Sequence, residues 1–447
     1  MATGWFERLL GTIAERGRSW IRIPTDLPPL ERICALARNL VSEKGEASGA
    51  ALADAVLELY RSLDEASRDR FLETLATEYA PDPARLAEAA GRYLAEPGAE
   101  TASALAGAAD PPRQELLRRL NMGRGGTATL IEMRETVLAR LHEAPSLLPL
   151  ENDLKHLLMS WFNRGFLELR RIDWHTPAAV LEKLIAYEAV HEITGWDDLR
   201  RRLDSDRRCF GFFHPALDDD PLIFVEVALV RGLAGAIGPL LDPVRPSRPG
   251  KPADTAIFYS INNCLDGLRG ISFGNFLIKQ VVEELKAEMP GLRRFATLSP
   301  VPGFRRWVET RDGAFEGPLG EALEQIEAEA SELDPDMALR LKRLCAEFLT
   351  ASNEGRGPAD PVARFHLRNG ARLERINYPA NPSPRGIAES WGLMVNYLYD
   401  PEKIEAYHEA FVRQGEVAHS PEVAQLLREE AGLGVANLLP FGATWRH

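Results

Sequence analysis

The chain is 447 residues long, with 45% apolar and 27% charged side chains. That length exceeds one ordinary hydrophobic core and that balance excludes extended disorder, so two domains, or one domain with a large appendage, are expected. A net charge of -13 excludes a general binder of nucleic acid or membrane surfaces, which needs clustered Lys and Arg.

Taken from its start, the stretch MATGWFERLLGTIAERGRSW carries Glu7 and Glu15 through its apolar residues, so it reads as a soluble amphipathic helix and not as a signal peptide. No apolar run reaches the length of a membrane span. The ending ATWRH is not a peroxisomal tripeptide and no Arg- and Ser-rich transit segment is visible, so a cytoplasmic location is expected. Cys34, Cys209, Cys264 and Cys345 lie far apart without a CxxC pair; a reducing compartment fits, and neither disulfides nor a zinc site is expected.

To about residue 170 the pattern is helical, rich in Ala, Leu, Glu and Arg, with breaks at 81–83, 97–98 and 123–126. Leu154, Leu157, Leu158, Trp161 and Phe162 follow the spacing of one buried helix face. Beyond 170, strand-like runs appear at 221–230, 255–262 and 293–300, with a strong helix over 274–289 that buries Ile278, Val281, Val282 and Leu285. The stretch from about 311 to 350 is acidic and helical and reads as an insertion with a solvated face. SNEGRGPADP (352–361) and NYPANPSPRG (377–386) read as loops. The expectation is a multi-domain chain: an all-α domain over 1–170, then an α/β domain with a mixed sheet over 171–447.

Three constellations can carry chemistry. The first is a strand, then Arg269, Gly270, Ile271, Ser272, Phe273 and Gly274, then a helix. A glycine turn at a helix N-terminus offers free backbone amides and a favourable dipole to an anion such as pyrophosphate, although a plain tight turn gives the same pattern. The arrangement resembles the acyl-CoA turn of GCN5-related N-acetyltransferases, which points to coenzyme A. Gly270, Ser272 and Gly274 also fit the GxSxG nucleophile elbow, but the flanking chain lacks regular strand and helix alternation and no HGGG-like loop precedes it.

The second constellation is FATLSPVPGFRRW, with Ser299 at a strand end before two prolines, where α/β folds place reacting groups but where a serine can also just cap a turn. The third is ARFHLRNGARLERINY, in which His366 precedes Asn369 and Gly370, a turn expected between two strands. Histidine can move protons near neutral pH, yet eight other histidines exist and none forms a metal-ligand cluster.

Together TAIFYSI, GISFGNFLIKQVVEEL, TLSPVPGF, FHLRNGA, INYPANPSPRGI and GLMVNYLY closely resemble the malonyl-CoA decarboxylase family, in order, from about 172 to about 399. The resemblance implies a helical domain used in self-association, as a homotetramer, and an acetyltransferase-like catalytic domain. It implies decarboxylation of malonyl-CoA to acetyl-CoA and carbon dioxide, a step of fatty acid metabolism, without cofactor or metal. Ser299 and His366 inherit the catalytic roles, Tyr399 matches an active-site tyrosine, and the CoA-binding turn carries over to Arg269, Gly270, Ile271, Ser272, Phe273, Gly274 and Asn275. Animal members have a glutamate at Ser272, so any acidic role there is absent from this chain. The readings from other classes are a CoA thioester hydrolase using Ser272 or Ser299, and a non-catalytic acyl-CoA-binding protein.

Overall fold

The structure, a computed structural model, describes residues 26–42, 44–162, 164–217, 219–242, 252–271, 276–311, 318–329, 332–351 and 357–428. The amphipathic stretch expected over residues 1–20 lies outside them, as does the first half of the 352–361 loop. Two compact units are present: Met1–Glu168 with Phe213–Leu222 and Asn263–Phe273, and Leu169–Phe212 with Ile223–Asn262 and Gly274–His447.

The first unit is helical, from Pro29–Val41 to Leu148–Trp161. Its helices start where the sequence supplies the means. Pro29, Pro83 and Pro112 occupy first-turn positions, where an amide would have no intrahelical acceptor and its absence costs nothing. Asp64 accepts from the Ser67 amide at 2.7 Å, and Asp82 from the Ala84 amide at 2.9 Å. Their apolar faces close one core around Val56, Leu57, Phe71, Leu72, Leu117 and Leu130. Leu154, Leu157, Leu158 and Phe162 are buried on the expected stripe, with Trp161 half-buried. Two ion pairs are sunk in this unit: Arg113 with Asp153 at 2.6 Å, and Arg134 with Glu151 at 2.9 Å.

The second unit is organised on a seven-stranded sheet of order β1-β2-β3-β4-β5-β7-β6. The strands are β1 (Glu168–Ile172), β2 (Arg207–Phe213), β3 (Pro221–Val230), β4 (Thr255–Asn263), β5 (Arg294–Thr297), β6 (Arg372–Asn377) and β7 (Met394–Tyr399). β4 and β5 run parallel, with Phe258 beside Thr297, whereas β5 pairs antiparallel with β7, with Phe295 opposite Tyr399. The sheet is therefore mixed, as expected, and it follows a helical region.

The helix expected over 274–289 runs Phe276–Glu288 and buries Ile278, Val281, Val282 and Leu285. Two helices, Pro318–Glu329 and Pro335–Thr350, occupy the acidic stretch, and the second buries Leu341, Cys345, Phe348 and Leu349 on one face. His366 does not sit at a turn between two strands. It lies in the last turn of a helix, Pro361–Arg368, and only the following element, β6, is a strand. The cause is local: buried Asp360 accepts from the Ala363 amide at 2.8 Å with Pro361 in the first helical turn, so a capped helix forms where the Asn369–Gly370 turn suggested a hairpin.

Candidate active site

Ser299 is positioned by a change of partner. The Leu298 amide still bonds the Phe258 carbonyl of β4 at 3.0 Å, but Ser299 turns to β7, exchanging backbone bonds with Val395 at 2.8 and 2.9 Å. Pro300 and Pro302 then end the extended run. Alternation along the strand sends Thr297 and Ser299 to one face, and the β5–β7 register brings Tyr397 and Tyr399 to that same face. His366 reaches the group from its helix, which stops at Asn369 and Gly370. Gly370 has φ +79, and a Cβ there would meet the Ile404 carbonyl oxygen at 2.2 Å, so the chain can turn this tightly only with glycine.

The result is a continuous buried chain of polar groups. The Tyr397 amide donates to Thr297 Oγ1 at 3.1 Å, Ser299 Oγ donates to the same oxygen at 2.9 Å, and Ser299 Oγ lies 3.0 Å from His366 Nε2. His366 Nδ1 lies 2.8 Å from the Tyr399 hydroxyl. With the Ser299 hydroxyl committed to Thr297, its oxygen accepts from the imidazole, which puts the ring proton on Nε2 and leaves Nδ1 to accept from Tyr399. The Tyr397 ring stacks on the imidazole, with centroids 4.7 Å apart and planes 25° apart. Ser299, His366 and Tyr399 are 6%, 3% and 2% exposed, so the group is closed to bulk water.

Burial sets the protonation. It holds His366 down to about 3, so the imidazole is neutral at pH 7, and it pushes the Tyr399 hydroxyl well above its ordinary value. A neutral imidazole between two hydroxyls can pass a proton in either direction. It differs from a Ser-His-acid triad because a tyrosine hydroxyl, and not a carboxylate, faces Nδ1.

Thus Ser299, His366 and Tyr399 meet. Of the expected CoA turn, Arg269 and Gly270 are exposed, Gly270 has φ +76, and Ile271 is buried. Ser272, Phe273, Gly274 and Asn275 lie outside the described residues, and with them most of the GxSxG alternative. Thr297 and Tyr397 escaped the sequence reading. The period of two that links Thr297 to Ser299 and Tyr397 to Tyr399 was the signal that could have found them.

Comparison with known proteins gives this geometry its context. The malonyl-CoA decarboxylase C-terminal domain matches residues 165–434, and the malonyl-CoA decarboxylase N-terminal domain matches residues 79–162. The mitochondrial malonyl-CoA decarboxylase of Anser anser anser is 34% identical over 412 residues, which are 83% of this chain and 82% of that protein. The rat protein of the same name is 32% identical over 83% of this chain and 84% of its own. The crystal structure of malonyl-CoA decarboxylase from Rhodopseudomonas palustris is similar with a TM-score of 0.81 and 50% identity, covering 89% of this chain and 99% of that one. That from Cupriavidus metallidurans gives a TM-score of 0.72 and 38% identity, again covering 89% and 99%. A C-terminal-domain match over more than half of the chain, joined to identity of this order across both regions, means that the chain belongs to the malonyl-CoA decarboxylase family.

Proposed function

We propose that Ser299, His366 and Tyr399 are the working groups of the family's reaction. The protein decarboxylates malonyl-CoA to acetyl-CoA and carbon dioxide. Breaking the carbon–carbon bond sends its electron pair into the thioester carbonyl, which serves as the electron sink, and the resulting enolate takes up a proton at carbon. The enzyme must hold the carboxylate across the carbonyl plane, stabilise the enolate oxygen and deliver that proton.

In this reading Ser299 turns its hydroxyl from Thr297 to the malonyl carboxylate and fixes its orientation. His366 gives the proton and Tyr399 holds the far side of the ring. A neutral imidazole is a poor acid, but a carboxylate brought beside it in a dry site favours the imidazolium, so the ring takes up a proton from solvent as the substrate binds. Once carbon dioxide has left and the proton has moved to carbon, His366 is neutral again. A backbone amide near the end of β4 holds the enolate oxygen. The turn 269–275, with Arg269, binds the CoA phosphates. The helical region over 1–170 serves self-association as a homotetramer, and the enzyme works in the cytoplasm; among the described residues no helix is long and apolar enough to cross a membrane.

The observation that supports this reading best is the unbroken contact from Thr297 through Ser299 and His366 to Tyr399. The test is malonyl-CoA labelled in its free carboxyl group, followed as labelled carbon dioxide with wild type, Ser299→Ala and His366→Asn. The general acid is worth ~10²-fold or more, so the histidine variant should lose kcat far more than it raises KM. Near-wild-type turnover there would sink the assignment. The Ser299–His366 contact also has the look of a hydrolytic pair, and release of free thiol from malonyl-CoA would expose that activity, because decarboxylation releases none.

A further inference from the structure

Asp64, Asp82 and Asp334 cap their helices from the surface, each accepting from amides of its own first turn. Asp360 caps the helix of His366 at 1% exposure, where a carboxylate is costly to keep. Burial pushes its carboxyl up, against the pull of the Ala363, Gly303 and Val362 amides. Capping alone does not call for that cost, since serine or asparagine satisfies a first-turn amide without charge. Ser383 caps Pro384–Ser390 in that way.

The second oxygen of Asp360 explains the carboxylate. Oδ1 accepts from the Ala363 amide at 2.8 Å, one turn before His366, and Oδ2 accepts from the Gly303 amide at 3.2 Å. Gly303 closes the short segment that begins at Ser299 and lies 57 residues from Asp360 in the chain. One side chain therefore ties the segment of the serine to the helix of the histidine, and all of these residues belong to one compact unit.

The tied segment is stiff enough to pass the constraint on. Pro300 and Pro302 fix two of its backbone torsions, Val301 is fully buried, and the Phe304 amide bonds back to the Val301 carbonyl at 3.2 Å. Its near end is held by the paired backbone bonds of Ser299 with Val395, so the bond at Gly303 settles the far end.

We propose that Asp360 is a positioning residue for the reaction: its two oxygens hold the Ser299 segment and the His366 helix at a fixed separation, and so set the 3.0 Å contact between Ser299 Oγ and His366 Nε2. The proposal rests on the reading that these two side chains work on the malonyl group.

The experiment uses Asp360→Asn and Asp360→Ser, each made in wild type and in Ser299→Ala, with kcat and KM read from release of labelled carbon dioxide. Both substitutions keep an oxygen for the Ala363 amide, so the cap and the fold are retained. Asparagine turns an NH2 group toward the Gly303 amide and serine has no second oxygen to offer it, so the tie is cut in both. Loosening the pair should lower kcat roughly ten- to a hundredfold, with KM little changed. In Ser299→Ala the contact is already gone, and the same substitutions should cost almost nothing further, a coupling that general structural damage does not produce. Equal losses in the two backgrounds, a loss that appears in KM instead of kcat, or wild-type kcat in both single variants overturns the proposal and leaves Ser299 and His366 as assigned. Failure of both single variants to fold would make Asp360 a structural cap and overturns it as well. Near-wild-type release by Ser299→Ala itself would sink the reading beneath the proposal, and the role of Asp360 with it.

Discussion

Replacing His366 by Gln should make the protein less sensitive to acid. Burial alone holds this imidazole at about 3 in the folded chain, against 6.5 for the free side chain. Between those values the unfolded chain binds a proton that the folded chain refuses, so unfolding gains as pH falls. The stability tied to a neutral His366 is fully present above pH 6.5, and it is lost as pH drops toward 3. One pKa unit corresponds to about 1.36 kcal/mol, so acidification from 6.5 to 5 costs wild type about 2 kcal/mol through this residue. His191 adds a similar term: burial, then Arg202 and Arg385, push it down to about 4. The variant should therefore lose the slope that this one group contributes, up to about 1.36 kcal/mol per pH unit in that window. Thermal unfolding of both proteins at half-unit steps measures it, and the slope is read rather than the absolute Tm, which any core substitution lowers. Equal slopes would mean that His366 is not held neutral by burial, and the account of how substrate charges it would go too.

Binding of a non-reactive malonyl thioether analogue near pH 7 should take up a substantial fraction of one proton, seen by calorimetry in two buffers of different ionisation enthalpy; no uptake would leave His366 neutral in the complex. Ser299→Ala should cut release of labelled carbon dioxide by roughly 10²-fold or more, with a smaller change in KM, because the lost bond matters most as charge moves. Thr297→Val keeps the shape but leaves the Tyr397 amide unpaired, so a stability loss of about 1–3 kcal/mol in denaturant unfolding is expected, together with a drop in kcat. Tyr399→Phe frees Nδ1 of the ring and should shift the pH profile of kcat; an unchanged profile would reduce Tyr399 to a packing residue.

The helical half was readable because its signals are local. Asp and Pro stand at helix starts and apolar residues recur at helical spacing, which the buried Leu154, Leu157 and Leu158 display. The long strands β3 and β4 were readable as apolar β-branched and aromatic runs; β2 carries two arginines at its head and was not read. The helix bearing His366 is too short for periodicity to speak, spanning Pro361–Arg368 with Phe365 left 40% exposed. Its readable cue was Asp360 followed by Pro361, a cap signal that the turn signal of Asn369 and Gly370 outweighed. Ser299 and His366 are 67 residues apart in the chain and meet only through the sheet register and a docked helix, so spacing could not pair them and family resemblance did. Arg134 could not be read as buried at all, since an arginine on a helix is ordinarily a surface residue.

The burial that costs stability at His366 is also what gives the chemistry its force. In a water-filled site a carboxylate beside an imidazole is screened and shifts its protonation little, whereas in a closed site the same pair interacts several times more strongly. In the mechanism proposed above, a ring kept neutral when empty and charged when filled would make the proton donor appear together with the group that must leave, and the donor's charge would be spent in the same turnover. That coupling requires that no fixed carboxylate sit on the ring beforehand. A Tyr399 hydroxyl at Nδ1 meets the requirement where an aspartate would not, because an aspartate would stabilise the imidazolium with or without substrate. Under that mechanism Tyr399 would be less a weak version of a triad acid than the choice that leaves the switching to the malonyl carboxylate.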